Sequence, residues 1–182
     1  RLLKKHFNNI VVTAEPTDKE TGKFLRRMLG GEFSVDERTN AFLFAADRCE
    51  HLYGKDGIIQ ITESGKIVVS DRYIFSSLAY QTAGGANELP ALLNSTFPLP
   101  QVLFYFVIDP EISLSRVNSR NGKKEIYEKI EIQKKIASMY EKVISEYEKN
   151  SAQNGMKVVR IDAAKPISEV SKEITQVIES LN

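Results

Sequence analysis

The chain has 182 residues, of which 42% are hydrophobic and 27% charged, a balance typical of one globular domain with a sizeable core. Its 25 basic and 24 acidic side chains leave a net charge of +1, which argues against a nucleic-acid-binding protein. The single cysteine, Cys49, excludes an intrachain disulfide, favours a cytoplasmic protein and is expected to be a half-buried thiol. No apolar run reaches the ~20 residues of a membrane span.

Strand and helix patterns alternate along the chain. Strands are predicted at 10–13, 67–70, 102–108 and 157–161, and the continuous apolar run of the third predicts a central strand buried on both faces. Helices are predicted at 21–29, 37–53, 58–64, after Asp71, at 89–94, from Pro110, at 126–150 and at 167–181, with a loop at Gly84-Gly85. This alternation predicts a single α/β domain with a parallel sheet.

Polar side chains cluster after the second predicted strand. Asp71 and Arg72 emerge at its C-terminal end, where open α/β sheets place their ligands. Because Asp suits a hydrated metal ion and Arg suits phosphate oxygens, the pair indicates phosphoryl chemistry, with a surface salt bridge as the alternative. The polar residues that follow favour a small polar ligand. They are Tyr73, Ser76, Ser77, Tyr80 and Gln81, with Ser70 just before the pair.

Three further patterns each allow an ordinary explanation. Phe44 and Arg48 lie four residues apart, so one helix face presents a ring and a guanidinium to a nucleobase, unless they are a core Phe and a surface Arg. The basic loop from Arg116 to Lys124 either closes over phosphates or is a solvated charged face. Residues 13–17 either line a site or form a simple turn. The sequence contains no Gly-x-x-x-x-Gly-Lys-Ser/Thr loop for a triphosphate.

Three segments together resemble the thymidylate (dTMP) kinase family, especially its archaeal and bacterial members. They are TAEPT at 13–17, VDERTNAFLFAADRCEH at 35–51 and GKIVVSDRYIFSSLAYQ at 65–81, with weaker matches at 109–111, 127–128 and 161–163. The resemblance implies a P-loop NTPase-like α/β fold of the nucleoside monophosphate kinase type, with a five-stranded parallel sheet. It also implies that the first strand and the P-loop precede Arg1, and that 1–182 is one domain with a lid at about 116–128.

The resemblance further assigns roles to individual residues. At the acceptor site, Phe44 would stack on thymine and Arg48 would hydrogen-bond to its O4, while Ser77 and Gln81 would read the base edge. Tyr80 would pack under the deoxyribose, and Glu15 and Pro16 would line the site. At the phosphates, Asp71 would hold Mg²⁺ and Arg72 would bridge the monophosphate and the transferred phosphoryl group. At the donor, Arg116 and Ala163 would lie near adenine, and Arg120 would belong to the lid and to the catalytic set.

The predicted activity is Mg²⁺-dependent transfer of the ATP γ-phosphate to dTMP, by a homodimer formed through the helix at 37–53. A phosphate acceptor needs no general base, so His51 is expected to be a helix-surface residue. One alternative is a deoxynucleoside kinase, in which Glu15 would act as the base for a sugar hydroxyl. The other is a non-catalytic nucleotide-binding module, because the sequence shows no P-loop.

Overall fold

The computed structural model of the protein describes residues 2–118 and 130–181. Within them, four strands alternate with helices, which confirms the predicted α/β class with parallel strands. The strands are β1 (Ile10–Ala14), β2 (Ile67–Asp71), β3 (Val102–Val107) and β4 (Lys157–Asp162). The helices are α1 (Leu3–His6), α2 (Glu20–Leu29), α3 (Glu37–Tyr53), α4 (Ile58–Glu63), α5 (Ile74–Gln81), α6 (Leu89–Asn94), α7 (Pro110–Asn118), α8 (Ile130–Lys149), α9 (Ser151–Asn154) and α10 (Ile167–Glu179).

The strands form two parallel pairs. In the first, β1 runs beside β2 from Ile10–Ile67 to Ala14–Asp71. In the second, β3 runs beside β4 over six residue pairs. The crossovers from β1 to β2 and from β3 to β4 therefore return the chain beside the strand it left, in parallel. Among the described residues no ladder joins the two pairs.

The third strand differs from its prediction. β3 was expected to be buried on both faces, yet Phe106 is 48% and Val107 42% exposed. The prediction of burial on both faces is therefore wrong at this end of the strand. Within residues 2–118 and 130–181, β3 also has a ladder partner along one edge only, so it is not a central strand there. An apolar run predicts burial but does not say how many neighbours a strand has.

The site-bearing helices pack around an apolar core. Its fully buried members come from α2, α5, the turn after α5, and α8: Leu25, Met28, Leu29, Ala79, Ala83 and Ile136. Helix α3 packs against α2, α5 and α6 and begins at Asp36, whose side chain accepts a hydrogen bond from the Arg38 amide at 2.9 Å. The buried face of α3 includes Ala41, Ala45, Arg48 and Leu52, whereas Cys49 lies beside this face and is exposed, contrary to expectation.

Helix α5 continues beyond Gln81 into a π-helical turn, Thr82–Ala86, where the sequence predicted a loop at Gly84-Gly85. The turn ends with Gly85 at φ 113°, a backbone conformation that glycine adopts without steric cost. It carries the buried residues Ala83 and Ala86 into the core, which explains why the chain stays helical there. No helix described in the structure combines the length and apolarity needed to cross a bilayer.

Candidate functional site

The C-terminal ends of β1 and β2 bring two predicted motifs together. Ala14 pairs with Asp71 at the end of the ladder, and the amide of Glu15 donates to the carbonyl of Asp71 at 2.9 Å. Neighbouring parallel strands end at the same edge of a sheet, so Glu15 and the Asp71-Arg72 pair lie side by side although Glu15 and Asp71 are 56 positions apart in the sequence. This edge is the floor of the candidate site.

A pocket with a cavity volume of about 90 Å³, partly open to solvent, lies above this edge. Six residues assigned to the nucleotide site from the sequence line it, together with Leu29 and Ser76: Glu15, Phe44, Arg48, Arg72, Tyr80 and Gln81. Three other predicted residues do not line the pocket. Pro16 and Asp71 are the chain neighbours of Glu15 and Arg72, and Ser77 accepts a hydrogen bond from Arg48.

Arg48 is almost completely buried, with 1% of its surface exposed. Its guanidinium donates to one carboxylate oxygen of Glu15, from Nε at 3.0 Å and from Nη2 at 2.5 Å. It also donates to the Ser77 hydroxyl at 3.2 Å and to the Asn94 side-chain oxygen. The alternative of a surface arginine is thereby excluded. A buried cation of this kind is tolerated because it is both ion-paired and hydrogen-bonded.

The prediction that His51 is a surface residue is wrong. It is buried, its Nδ1 lies 3.1 Å from the second oxygen of Glu15, and its Nε2 lies 2.7 Å from the Thr13 hydroxyl. The neutral tautomer with its proton on Nδ1 satisfies both contacts, because a carboxylate only accepts hydrogen bonds. His51 follows Arg48 by three residues and Phe44 by seven, so the helical spacing that linked Phe44 to Arg48 also pointed to it.

A second buried carboxylate fixes the loop that follows Glu15. Asp47 accepts hydrogen bonds from the amide and hydroxyl of Thr17, at 2.8 and 2.6 Å, and from the Thr21 hydroxyl at 2.6 Å. Gly22 allows this close approach, since a Cβ there would lie 1.9 Å from the Thr17 carbonyl oxygen. Helix α3 therefore holds the chain on both sides of the Glu15-Pro16 segment through Asp47 and Arg48.

Arg72 points into the pocket from an unusual backbone. Its φ of 74° lies in the left-handed region, which a residue with a side chain adopts only when its surroundings impose it. Its guanidinium lies 5.3 Å from the centre of the Tyr80 ring and donates to the Tyr140 hydroxyl at 3.0 Å. Among residues 2–118 and 130–181 no ion pair joins Arg72 to Asp71, so the salt-bridge alternative is excluded there. No local pattern pointed to Tyr140, which lies 68 positions from Arg72 in the sequence.

Gln81 presents an unsatisfied acceptor in the same pocket. The residue is 1% exposed, and its side-chain oxygen has no hydrogen-bond partner among the described residues. A buried polar atom without a partner carries a free-energy penalty that a bound ligand can remove. The pocket thus offers one acceptor on Gln81 close to the cationic Arg48 and Arg72.

Asp71 is the candidate for the predicted metal site. Its exposed carboxylate stands at the end of β2, and within the described part of the chain no hydrogen bond or ion pair engages it. No group of three or more His, Cys, Asp or Glu side chains gathers in that part of the chain. A single carboxylate fits Mg²⁺, which keeps several waters and is completed by substrate phosphates, better than a metal that needs several protein ligands.

The structure also brings together two residues predicted for the adenine site. Arg116 of α7 donates to the carbonyl oxygens of Ala163, at 2.6 Å, and Ala164, at 3.3 Å. This contact joins the end of α7 to the turn after β4. The predicted lid from about 116 to 128 falls mainly outside the described residues, and Arg120 lies there.

Comparisons with known proteins identify the family of this chain. A family model described as thymidylate kinase matches residues 1–174. The chain belongs to the thymidylate kinase family. It is 38% identical to a putative thymidylate kinase of Treponema pallidum, over 96% of this chain and 84% of that one. It is 35% identical to a probable thymidylate kinase of Thermococcus kodakarensis, over 100% of this chain and 90% of that one.

Solved structures extend the likeness to the fold. A thymidylate kinase structure from Candida albicans superposes with a TM-score of 0.76 at 21% identity, covering 98% of this chain and 83% of that one. One from Ehrlichia chaffeensis gives 0.67 at 22% identity. The thymidylate kinase family has the P-loop NTPase fold of nucleoside monophosphate kinases, so the fold class expected from the sequence is confirmed. Membership makes the protein a phosphotransferase of that class.

Proposed function

We propose that this protein transfers the γ-phosphoryl group of ATP to dTMP, forming dTDP and ADP. The observation that carries the proposal is the pocket beside β1 and β2, lined by six side chains assigned to the nucleotide from the sequence alone. Its combination of an aromatic ring, an unpartnered acceptor and two arginines matches a pyrimidine monophosphate, which has a flat base with polar edges and a doubly charged phosphate. The family supports the same reaction.

The base is recognised by Phe44, Arg48 and Gln81. Phe44 offers an aromatic face for stacking. Arg48, held by Glu15, directs positive charge to the 4-carbonyl that distinguishes thymine from cytosine, and Ser77 and Gln81 read the base edge. The unpartnered oxygen of Gln81 suits the N3–H donor of thymine. Tyr80 packs under the deoxyribose.

The phosphates are bound at the end of β2. Arg72 bridges the acceptor monophosphate and the transferred group, compensating charge that would otherwise keep the two nucleotides apart. Asp71 would hold the hydrated Mg²⁺, whose charge would neutralise the phosphate oxygens. A phosphate monoester is an adequate nucleophile at neutral pH, so Glu15 is free to serve as the partner of Arg48 and not as a base. Arg116 and Ala163 lie at the adenine, and Arg120 contributes from the lid.

A coupled ADP-release assay with four acceptors tests the proposal. With ATP and Mg²⁺ we expect turnover of dTMP, slower turnover of dUMP, and turnover of dCMP at least about a hundredfold below that of dUMP, because dCMP lacks the 4-carbonyl. Thymidine should not react. Turnover of thymidine but not dTMP would instead identify a deoxynucleoside kinase, and turnover of no acceptor would favour the non-catalytic alternative.

We also propose that the protein is a homodimer that pairs through the outer face of α3. Phe42 and Tyr53 are 53% and 55% exposed on that face, with Ala46 and Cys49 exposed between them at helical spacing. Leu92 of the adjoining α6 is also exposed, at 68%. A continuous exposed apolar stripe of this kind marks an interaction surface, and a helix face pairs readily with its own copy across a two-fold axis.

Replacing Phe42 with glutamate should therefore convert the protein to a monomer, because two like charges would be buried at the centre of the pairing face. Light scattering coupled to size-exclusion chromatography measures the mass directly. The matched control is Phe24→Glu, since Phe24 of α2 is a 40% exposed phenylalanine on another surface, and this variant should remain a dimer. A monomeric unmodified protein at micromolar concentration would contradict the proposal.

A further inference from the structure

The hydroxyl of Tyr140 links helix α8 to the candidate phosphate site. It accepts a hydrogen bond from Nη1 of Arg72 at 3.0 Å and donates one to the Ser76 hydroxyl at 2.7 Å. One oxygen thus connects α8 with the residue that follows β2 and with the first turns of α5. Both bonding directions of the hydroxyl are used, which fixes its orientation.

The ring of Tyr140 is held as firmly as its hydroxyl. It stacks against Tyr105 of β3, with ring centres 6.0 Å and planes 25° apart. On another side it meets Tyr80 edge to face, with centres 6.0 Å and planes 88° apart. Burial raises the pKa of the Tyr140 hydroxyl, so it stays protonated at neutral pH and keeps its hydrogen bond to Ser76.

Arg72 depends on these aromatic groups for its position. Among residues 2–118 and 130–181 no carboxylate forms an ion pair with it, and its guanidinium contacts are the Tyr140 hydroxyl and the Tyr80 ring. An exposed arginine has many rotamers, and fixing one costs conformational entropy when substrate binds. A hydrogen bond to a neutral hydroxyl orients the guanidinium without neutralising its positive charge, which stays available for phosphate oxygens. An ion pair with a carboxylate would orient the group but neutralise that charge.

We propose that Tyr140 is a positioning residue that holds the Arg72 guanidinium in the pocket, ready for the phosphate groups. The inference rests on the proposed function, because it supposes that Arg72 binds the monophosphate of the acceptor. It adds a residue from α8 to a site otherwise built from the ends of β1 and β2 and from α3 and α5. Tyr140 acts through Arg72 and does not itself touch the nucleotide.

The test removes only the hydroxyl, by Tyr140→Phe. The ring contacts are kept, so the melting temperature should change little, while kcat/KM for dTMP should fall about tenfold because Arg72 loses its fixed orientation. The matched control is Tyr147→Phe, two turns along α8, where the ring packs edge to face on Phe75 at 5.1 Å. This control should retain wild-type kinetics.

Two further measurements separate positioning from a general packing effect. Tyr140→Phe should weaken the binding of dTMP but not of thymidine, which lacks the phosphate. In an Arg72→Ala background it should have no additional effect on dTMP binding, since residues acting as one unit are not additive. Equal weakening of both ligands, or the full loss repeated in the Arg72→Ala background, would overturn the inference.

The outcome for the unmodified enzyme distinguishes the inference from the function on which it rests. If the wild-type protein phosphorylates dTMP and Tyr140→Phe does so equally well, only the positioning role is overturned. If the wild-type protein neither binds nor phosphorylates dTMP, the proposed function fails, and the role of Tyr140 fails with it.

Discussion

Replacing Glu15 with alanine should lower the free energy of unfolding by about 3–5 kcal/mol. The change leaves the guanidinium of Arg48 buried without its counter-ion, and it removes the acceptor that faces Nδ1 of His51. An uncompensated buried charge is among the few causes of such large effects, and the loss would be a substantial part of the 5–15 kcal/mol that stabilises a typical domain. Urea unfolding measures it as a lower midpoint at an unchanged slope.

Two variants control this experiment. Glu50→Ala removes a carboxylate from an exposed pair with Lys19, at 3.0 Å, and should cost less than about 1 kcal/mol. Glu15→Ala combined with Arg48→Met removes both charges and should recover much of the stability, because an apolar side chain of similar length needs no partner. If Glu15→Ala were as stable as the wild-type protein, the Arg48 charge would have to be neutralised in some other way, and the role given to Glu15 would be wrong.

Replacing Arg72 with alanine should lower kcat by about 10²–10³-fold, with a change in melting temperature no larger than an exposed substitution normally gives. Arg72 is an exposed residue without a carboxylate partner among the described residues, and it stabilises charge only when the phosphates are bound, so its loss is felt mainly in the reaction. Steady-state kinetics with ATP and dTMP, together with thermal unfolding, separate the two effects.

The arginine variants also test geometry against charge. Arg72→Lys keeps the positive charge but not the planar guanidinium, so its kcat should lie between those of the wild-type protein and Arg72→Ala. The control Arg27→Ala removes an arginine from the exposed pair with Glu32 on α2, and its rate should equal that of the wild-type protein. Wild-type kcat in Arg72→Ala would remove Arg72 from the phosphate site and leave the family assignment untouched.

The secondary structure was largely readable from the sequence because it depends on local patterns. Apolar β-branched runs predicted β1 and β2, and apolar residues at helical spacing predicted α3. The failures arose where distant packing decided the outcome. The turn at Thr82–Ala86 remains helical because Ala83 and Ala86 are buried, and the end of β3 is exposed although its residues are apolar.

Within the site, the sequence placed residues that share a strand end or a helix face. The spacing of Phe44 and Arg48 predicted a common face, and both line one pocket. It could not show that Arg48 is buried against Glu15, since a guanidinium four residues from an aromatic ring is equally common at a surface. His51 was misjudged for the same reason, because burial depends on which face of α3 the rest of the chain covers.

What the sequence determined by itself is the chemistry available: an Asp-Arg pair after a strand, an aromatic ring and an arginine on one helix, and motifs that identify the family. Periodicity and residue type suffice for these because they are local properties. What only the tertiary structure decided is which partners each group has. The Glu15–Arg48 pair, the burial of His51 and the contact of Tyr140 with Arg72 join residues 33 to 68 positions apart. Such contacts form only when strands and helices pack, so no local pattern encodes them.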